Sequence, residues 1–364
     1  MRTLLVVLGL GLAACGDQAA DAPKKADAPK PAAEKKAEAP ASKGPDAKAL
    51  ASKAGAMFKP LPDWMGEKAS DDVIALGRTL YYETRLSKNH DISCNSCHDL
   101  ATGGDDGKPT SPGHKGQLGG RNSPTSLNAA LHVAQFWDGR AEDVEAQAKG
   151  PVLNPIEMAM PDEATVVSVL KSVPAYPEMF KKAFPGEADP VTYDNMAKAI
   201  GAFERGLVTP APFDAFLKGD HTALSAEQLQ GLQTFMDTGC TACHSGVAVG
   251  GQGYFKLGMV VPYETKDEGR KEVTGSDADL HVFKAPSLRN ITITGPYFHD
   301  GSIESLDEAV KLMAKHQLGK DLKDEQIKQI TAFLGALEGK VDAEYVKAPE
   351  LPASGPTTPK PDPS

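Results

Sequence analysis

Two five-residue units constrain this chain more than anything else in it: Cys94-Asn95-Ser96-Cys97-His98 and Cys240-Thr241-Ala242-Cys243-His244. Each offers two thiols three positions apart with an imidazole directly after them. That spacing lets both thiols add across the vinyl groups of one porphyrin while the next residue reaches the iron. One such pentapeptide can arise by accident; two of them, using four of the five cysteines, rarely do. Zinc sites and redox dithiols are the competing readings. Neither unit has a matched second cysteine pair within its own domain, and an exported chain disfavours free dithiols. The motifs therefore predict two covalently bound haem c groups and leave no cysteine for a disulfide.

The fifth cysteine belongs to a targeting signal. Arg2 gives a positive start, Leu4 to Leu12 is a short apolar run, and Leu12-Ala13-Ala14-Cys15 resembles a bacterial lipobox. An unlipidated thiol there would be exposed and oxidisable, which favours Cys15 as a lipid attachment point. Gly16 rather than Asp after it leans toward the outer membrane. The expected location is periplasmic, with the membrane reached only through this anchor.

Residues 17 to about 55 are almost entirely Ala, Pro, Lys, Asp and Glu, a composition that cannot bury enough apolar surface to offset chain entropy. The stretch 352–364 has similar composition, so the body is expected to end near residue 350. The formal charge of −10, from 39 basic against 49 acidic residues, argues against nucleic acid as a partner. No internal apolar run reaches the length of a membrane-spanning helix.

Within the body, periodicity predicts mostly helix. Val73, Leu76 and Leu80 share a face after a Ser70 cap, and Ser225 to Gln228 forms a capping box before Leu229, Leu232 and Met236. Ser305 to Glu308 opens a helix through Val310 and Met313, and another runs from Asp324 to about Leu337. Long Gly- and Pro-rich stretches at 100–125, 150–162 and 246–302 are expected to wrap a large cofactor. An amphipathic helix precedes each cysteine motif, a weak internal repeat. The predicted fold is mostly α: two tandem c-type cytochrome domains with long loops around the haems. The division is a signal at 1–15, a tether at 16–55, domains at 56–205 and 206–340, and a tail at 341–364.

The residues around the motifs resemble the bacterial dihaem cytochrome c peroxidases over nearly the whole body. The matching runs are Leu86-Ser87, Ile92-Ser93-Cys94, Gly113-His114, Arg121-Asn122-Ser123-Pro124-Thr125 and Phe136-Trp137-Asp138-Gly139-Arg140. Further on stand Gln147, Glu157-Met158, Ala202-Phe203-Glu204-Arg205, Ala285-Pro286-Ser287-Leu288-Arg289-Asn290, and Gly295-Pro296-Tyr297-Phe298-His299-Asp300-Gly301. This resemblance implies an enzyme that reduces hydrogen peroxide with electrons from a small cytochrome c or a cupredoxin. It makes the N-terminal haem the low-potential peroxidatic one, with His98 as proximal ligand and His114 as a removable distal ligand. Glu157 is implied as the catalytic carboxylate, Gln147 as its hydrogen-bonding partner and Trp137 as the residue between the haems.

The C-terminal haem would accept electrons first, on His244 and Met313, since His/Met ligation raises the potential over His/His. Met259 and Met236 are the fallback ligands. A Ca²⁺ site between the domains is implied on the Asn122 side chain and the Thr294 and Pro296 carbonyls, and His299 as a haem contact rather than a ligand. Homodimers are common in that family. Two other readings of the scaffold remain at this stage. One is a non-catalytic dihaem electron carrier or redox sensor, which the joint presence of His114, Gln147 and Glu157 disfavours. The other is a dihaem enzyme that oxidises tryptophans of a partner, which carries Tyr where this chain has Met313.

Overall fold

The computed structural model describes residues 44–364. The signal sequence, the lipobox with Cys15 and most of the expected tether lie outside the described residues. In chain order the helices are α1 (Ala47–Gly55), α2 (Asp71–Tyr81), α3 (Cys94–Cys97), α4 (Val144–Leu153), α5 (Glu163–Ser172), α6 (Ala175–Ala183), α7 (Tyr193–Glu204), α8 (Pro212–Leu217), α9 (Ala226–Thr238), α10 (Lys271–Thr274), α11 (Leu306–Leu318) and α12 (Asp324–Gly335). Two short strands, β1 (Tyr254–Lys256) and β2 (Val282–Lys284), pair antiparallel with Phe255 opposite Phe283. The fold is mostly α, as the periodicity predicts.

The two halves repeat one construction. Helix α2 starts where Ser70 Oγ accepts from the Val73 amide at 3.4 Å, with Asp71 and Asp72 complementing the helix dipole. It crosses α7 at Gly77, where a Cβ would stand 1.8 Å from the Ala199 carbonyl oxygen and 3.0 Å from Phe203 Cβ. Helix α9 begins with the reciprocal box predicted for it: Gln228 N donates to Ser225 Oγ at 3.2 Å and Ser225 N to Gln228 Oε1 at 2.9 Å. It crosses α12 at Gly231, where a Cβ would meet the Gln329 carbonyl oxygen at 1.9 Å and Phe333 Cβ at 2.9 Å. Each glycine lets two backbones touch, and each partner helix carries a Phe four residues beyond the contact carbonyl. The weak sequence repeat thus has a physical form. Gly239, at φ +99°, then ends α9 in the left-handed region and turns the chain directly into Cys240.

Each crossing has its own core. Around α2, α5, α6 and α7 it contains Leu76, Leu80, Leu170, Phe180, Ile200 and Phe203. Around α8, α9 and α12 it contains Phe213, Phe216, Leu232, Phe235, Phe333 and Leu337. The Arg289 guanidinium, with no exposed side-chain surface, grips Asp214 of α8 at 2.8 and 3.0 Å. Asp214 also accepts from the amides of Leu61 and Ala211, and Arg289 Nε donates to the Val247 carbonyl.

Two readings of the termini are corrected. The last residues of the expected tether are helical: Asp46 caps α1 at the Ala49 amide, and Leu50 and Ala54 join the C-terminal core beside Phe58. Three residues at helical spacing supply the burial that the surrounding composition hides. The tail is not tether-like either. Arg85 donates to the Pro352 carbonyl at 2.8 Å and to Ser354 Oγ at 3.0 Å, and the Gly355 and Thr358 amide and hydroxyl groups meet at 2.8 Å against Ser172. The Asp362 amide donates to Lys88 O at 3.0 Å. Prolines fix much of this backbone in advance, so laying it along a surface costs less entropy than for an ordinary chain.

Gly231→Ala should separate α9 from α12, destabilising the protein by about 1–3 kcal/mol in urea unfolding. An unchanged unfolding midpoint would show that the crossing tolerates a side chain there.

Candidate active site

The C-terminal motif opens on a cavity lined by Cys240, Cys243, His244 and, from α11, Met313. Its walls are aliphatic and aromatic, including Leu288, Ile291, Leu306, Val310 and Phe235. Burial pushes His244 down to about 4, so the ring is neutral, the form that ligates a metal. Its Nδ1 is buried without a hydrogen bond of ordinary geometry, although the Val249 and Pro286 backbone lies beside it. Of the fallback methionines, Met259 is 56% exposed and Met236 is packed in the α9–α12 core, while Met313 faces the cavity. Burial raises the Cys240 thiol to about 12 and Cys243 as well, and neither is in a disulfide. Protonated, unpaired thiols beside a neutral imidazole and an apolar cleft fit a covalently held haem better than a redox dithiol.

The N-terminal motif is α3, with Ser96 Oγ accepting from the Ser93 amide at 3.0 Å and the Tyr81 hydroxyl donating to the His98 carbonyl at 2.9 Å. Burial raises both its thiols and lowers His98, whose Nδ1 is again buried without a partner. The same fit to haem follows.

His114 and Glu157 are built into one unit. The His114 amide donates to the carbonyls of Ile156 at 2.9 Å and Glu157 at 2.8 Å. Only glycine fits before it, because a Cβ on Gly113 would lie 2.0 Å from the Ile156 oxygen. The loop then closes with Gly113 N donating to Gln117 O at 2.8 Å. Glu157 accepts from Asn154 Nδ2 at 2.9 Å, and burial raises its carboxyl against the pull of Arg140 and Asn154. Gln147 sits on α4, which runs directly into this turn. The C-terminal tail completes the arrangement: His114 Nε2 lies 3.2 Å from the Ser364 carbonyl oxygen, and Lys88 donates to the same oxygen at 2.9 Å.

On the wall of the C-terminal cavity, Trp137 Nε1 donates to the Asn122 carbonyl at 2.9 Å. Asn122, Thr294 and Pro296 are all among the residues that line the C-terminal cavity. Asn122 Nδ2 donates to the Lys108 carbonyl at 2.8 Å, which turns the amide oxygen the other way. His299 is buried, lies tilted against the Phe283 ring and meets Thr265 Oγ1 at 3.0 Å. Arg121 binds Asp138, Asp267 and Glu272, tying the loop that bears Asn122 to the second half.

Sequence reasoning missed several groups here. Lys284 is a buried lysine in the C-terminal cavity, bonded to His132. Glu204, quoted only as part of a matching run, is buried near Tyr81 and Cys94; burial, reinforced by Glu145, raises its carboxyl to about 8. Nothing in the local sequence marks either as buried.

The folded Glu204 carboxyl keeps its proton to about pH 8, whereas the unfolded one releases it near 4.5. The native state is therefore favoured at low pH, and stability is lost as pH rises between those values. Glu204→Gln should match wild type near pH 4.5 and exceed it by on the order of 1–4 kcal/mol at pH 8 in urea unfolding. A difference that stays flat across that range would assign Glu204 an ordinary pKa. Deleting residues 352–364 should speed hydrogen exchange in segments 84–88 and 113–117, leaving the α9–α12 crossing unaffected. Equal protection with and without the tail would show that it carries no load.

The di-haem cytochrome c peroxidase model matches residues 71–222, and the cytochrome c model matches 229–338. Cytochrome c551 peroxidase of Pseudomonas aeruginosa is 48% identical over 325 residues, covering 86% of this chain and 93% of that protein. Its namesake from Nitrosomonas europaea is 48% identical over 295 residues, covering 80% and 87%. Methylamine utilization protein MauG of Methylophilus methylotrophus is 33% identical over 76% of this chain and 85% of its own. Among solved structures, a MauG-like protein associated with microbial copper homeostasis superposes with a TM-score of 0.70 at 26% identity, over 80% of this chain and 97% of that one. These similarities bear out the resemblance read from the motifs and the two haem c groups they imply. By sequence and by fold, the chain belongs to the di-haem cytochrome c peroxidase family.

Proposed function

We propose that the protein reduces hydrogen peroxide to water, H₂O₂ + 2 e⁻ + 2 H⁺ → 2 H₂O, with the chemistry centred on the Glu157–His114 unit. The observation that carries this reading is the docking of the His114 backbone on the Ile156 and Glu157 carbonyls, which makes distal loop and carboxylate one piece. The haem groups supply the redox chemistry, the N-terminal one at the peroxide and the C-terminal one at the point of electron entry. Cys94, Cys97, Cys240 and Cys243 would anchor them, His98 and His244 would ligate the irons, and Met313 would complete the second site.

Glu157 takes the proton from the near peroxide oxygen and returns it to the leaving one, a shuttle to which burial suits the carboxyl by raising it from its ordinary value. Gln147 holds peroxide beside it. His114 would be the removable ligand of the N-terminal haem, and its loop would have to move to admit peroxide. Lys115 and Gly116, both at positive φ, supply the tight turn on which its loop swings. Trp137, bonded to Asn122, lies on the route between the halves. Asn122, Thr294 and Pro296 offer an oxygen set suited to Ca²⁺.

A small cytochrome c or cupredoxin delivers the electrons, in the periplasm, with Cys15 as the lipid anchor. No helix among the described residues is long and apolar enough to cross a membrane. Met313 in the cavity, where tryptophan-oxidising relatives carry Tyr, favours peroxide as the substrate.

Glu157→Gln should keep both haems and their reduction intact while slowing peroxide consumption by at least ~100-fold with a ferrocytochrome c donor. Turnover within a few-fold of wild type would remove Glu157 from the chemistry.

A further inference from the structure

Lys284 is the one charged residue among those lining the C-terminal cavity, and it is 4% exposed. It sits at the end of β2, where its amide donates to the Trp137 carbonyl at 2.8 Å. Among the described residues no carboxylate pairs with it; its Nζ meets only His132 Nδ1, at 3.2 Å. Burial and the neighbouring ammonium keep His132 neutral, so it accepts from Lys284 without offering a counter-charge. With Nδ1 accepting, the proton of the imidazole lies on Nε2, which is itself buried without a partner. His132 is held in that pose by Gly251, whose Cβ would collide with its ring at 2.3 Å. Lys284 Nζ, with donors left over after His132, and His132 Nε2 thus line the same cavity with no anionic group to receive them. An unpaired buried ammonium is costly, and a buried donor without a partner adds to the cost. Both penalties disappear if the cavity's occupant brings an anionic, acceptor-rich group to this wall.

We propose that Lys284, with His132 beside it, docks a propionate carboxylate of the C-terminal haem and that its positive charge raises the potential of that iron. The proposal rests on the haem assignment of this cavity and adds to it a binding group for the porphyrin edge. Favouring the reduced iron is the direction an electron-entry site needs, because a nearby positive charge opposes the extra positive charge of the oxidised state. The Trp137 contact also places this charge beside the proposed route between the halves.

Potentiometric titration of the intact dihaem protein tests it, using wild type, Lys284→Met, Lys284→Gln and Lys284→Arg. Haem content, measured on the same samples by absorbance, separates this question from the haem assignment itself. The Met and Gln variants should lower the reduced-to-oxidised ratio of the C-terminal haem several-fold at a fixed poise and leave the N-terminal haem unmoved. The Arg variant should hold the wild-type value. The resonance Raman propionate bending band of the C-terminal haem should shift in Met and Gln but not in Arg. Unchanged potential and band in Met and Gln would overturn the proposal, and so would an equal fall in Arg, since charge would then not be the cause. If Lys284→Met fails to take up haem, Lys284→Gln, closer in polarity, carries the same comparison against Arg.

Discussion

The buried pair Arg289–Asp214 fixes the geometry on which the second centre depends. Its two charges are out of water, and each is held from several sides: the carboxylate by the guanidinium and the Leu61 and Ala211 amides, the guanidinium also by the Val247 carbonyl. Such a pair adds little net stability over an apolar replacement, but losing one partner leaves a buried charge exposed to nothing. Its effect is therefore positional. It joins the chain leading from α1, helix α8, the loop directly after His244 and the segment that carries Lys284 and Pro286. The last of these segments lines the C-terminal cavity, and the loop before it springs from His244, which lines it too.

The duplicated crossing explains why two similar halves can do different work. Gly77 and Gly231 give each half the same close helix contact, and each half presents its cysteine motif after the leading helix of that contact. What differs lies in the loops. Around His244 they form apolar walls and bring Met313 in from α11, an environment suited to holding an electron. Around His98 they bring a glycine-bounded loop, a desolvated carboxyl and a covering tail, an environment suited to admitting a small polar molecule. The proposed reading accordingly puts catalysis on the half with the hinged His114 loop and electron entry on the half with the apolar cavity.

Local chemistry was legible in the sequence, and long-range chemistry was not. The cysteine motifs, the caps at Ser70, Ser225 and Ser305, and the helical faces depend on residues a few positions apart, so they can be read one window at a time. The Ser305-to-Glu308 start makes only half of a capping box: Glu308 N donates to Ser305 Oγ, but the Glu308 carboxylate pairs with Lys311. Resemblance placed His114, Glu157 and Met313, yet it gave no hint that the His114 amide leans on the Glu157 turn. Arg289 with Asp214, and Lys284 with His132, bridge 75 and 152 positions. Nothing near a surface-looking lysine announces that the fold will bury it. Composition misread α1 and the tail for a related reason: a few anchoring contacts, made by Leu50 and Ala54 or received from Arg85, decide order in segments that look soluble throughout.

The returning tail has a consequence for how the protein is handled and made. The N-terminal site is covered by a segment that follows His114 by 250 positions, since Ser364 lies against His114 and Lys88. Haem attachment at Cys94 and Cys97 can thus precede closure of the site, with the tail arriving over an already loaded centre. It also means that an affinity tag fused after Ser364 would emerge beside the distal loop. A run of histidines there would offer spare imidazoles to the very iron that His114 is proposed to release, and would imitate the resting state of the enzyme.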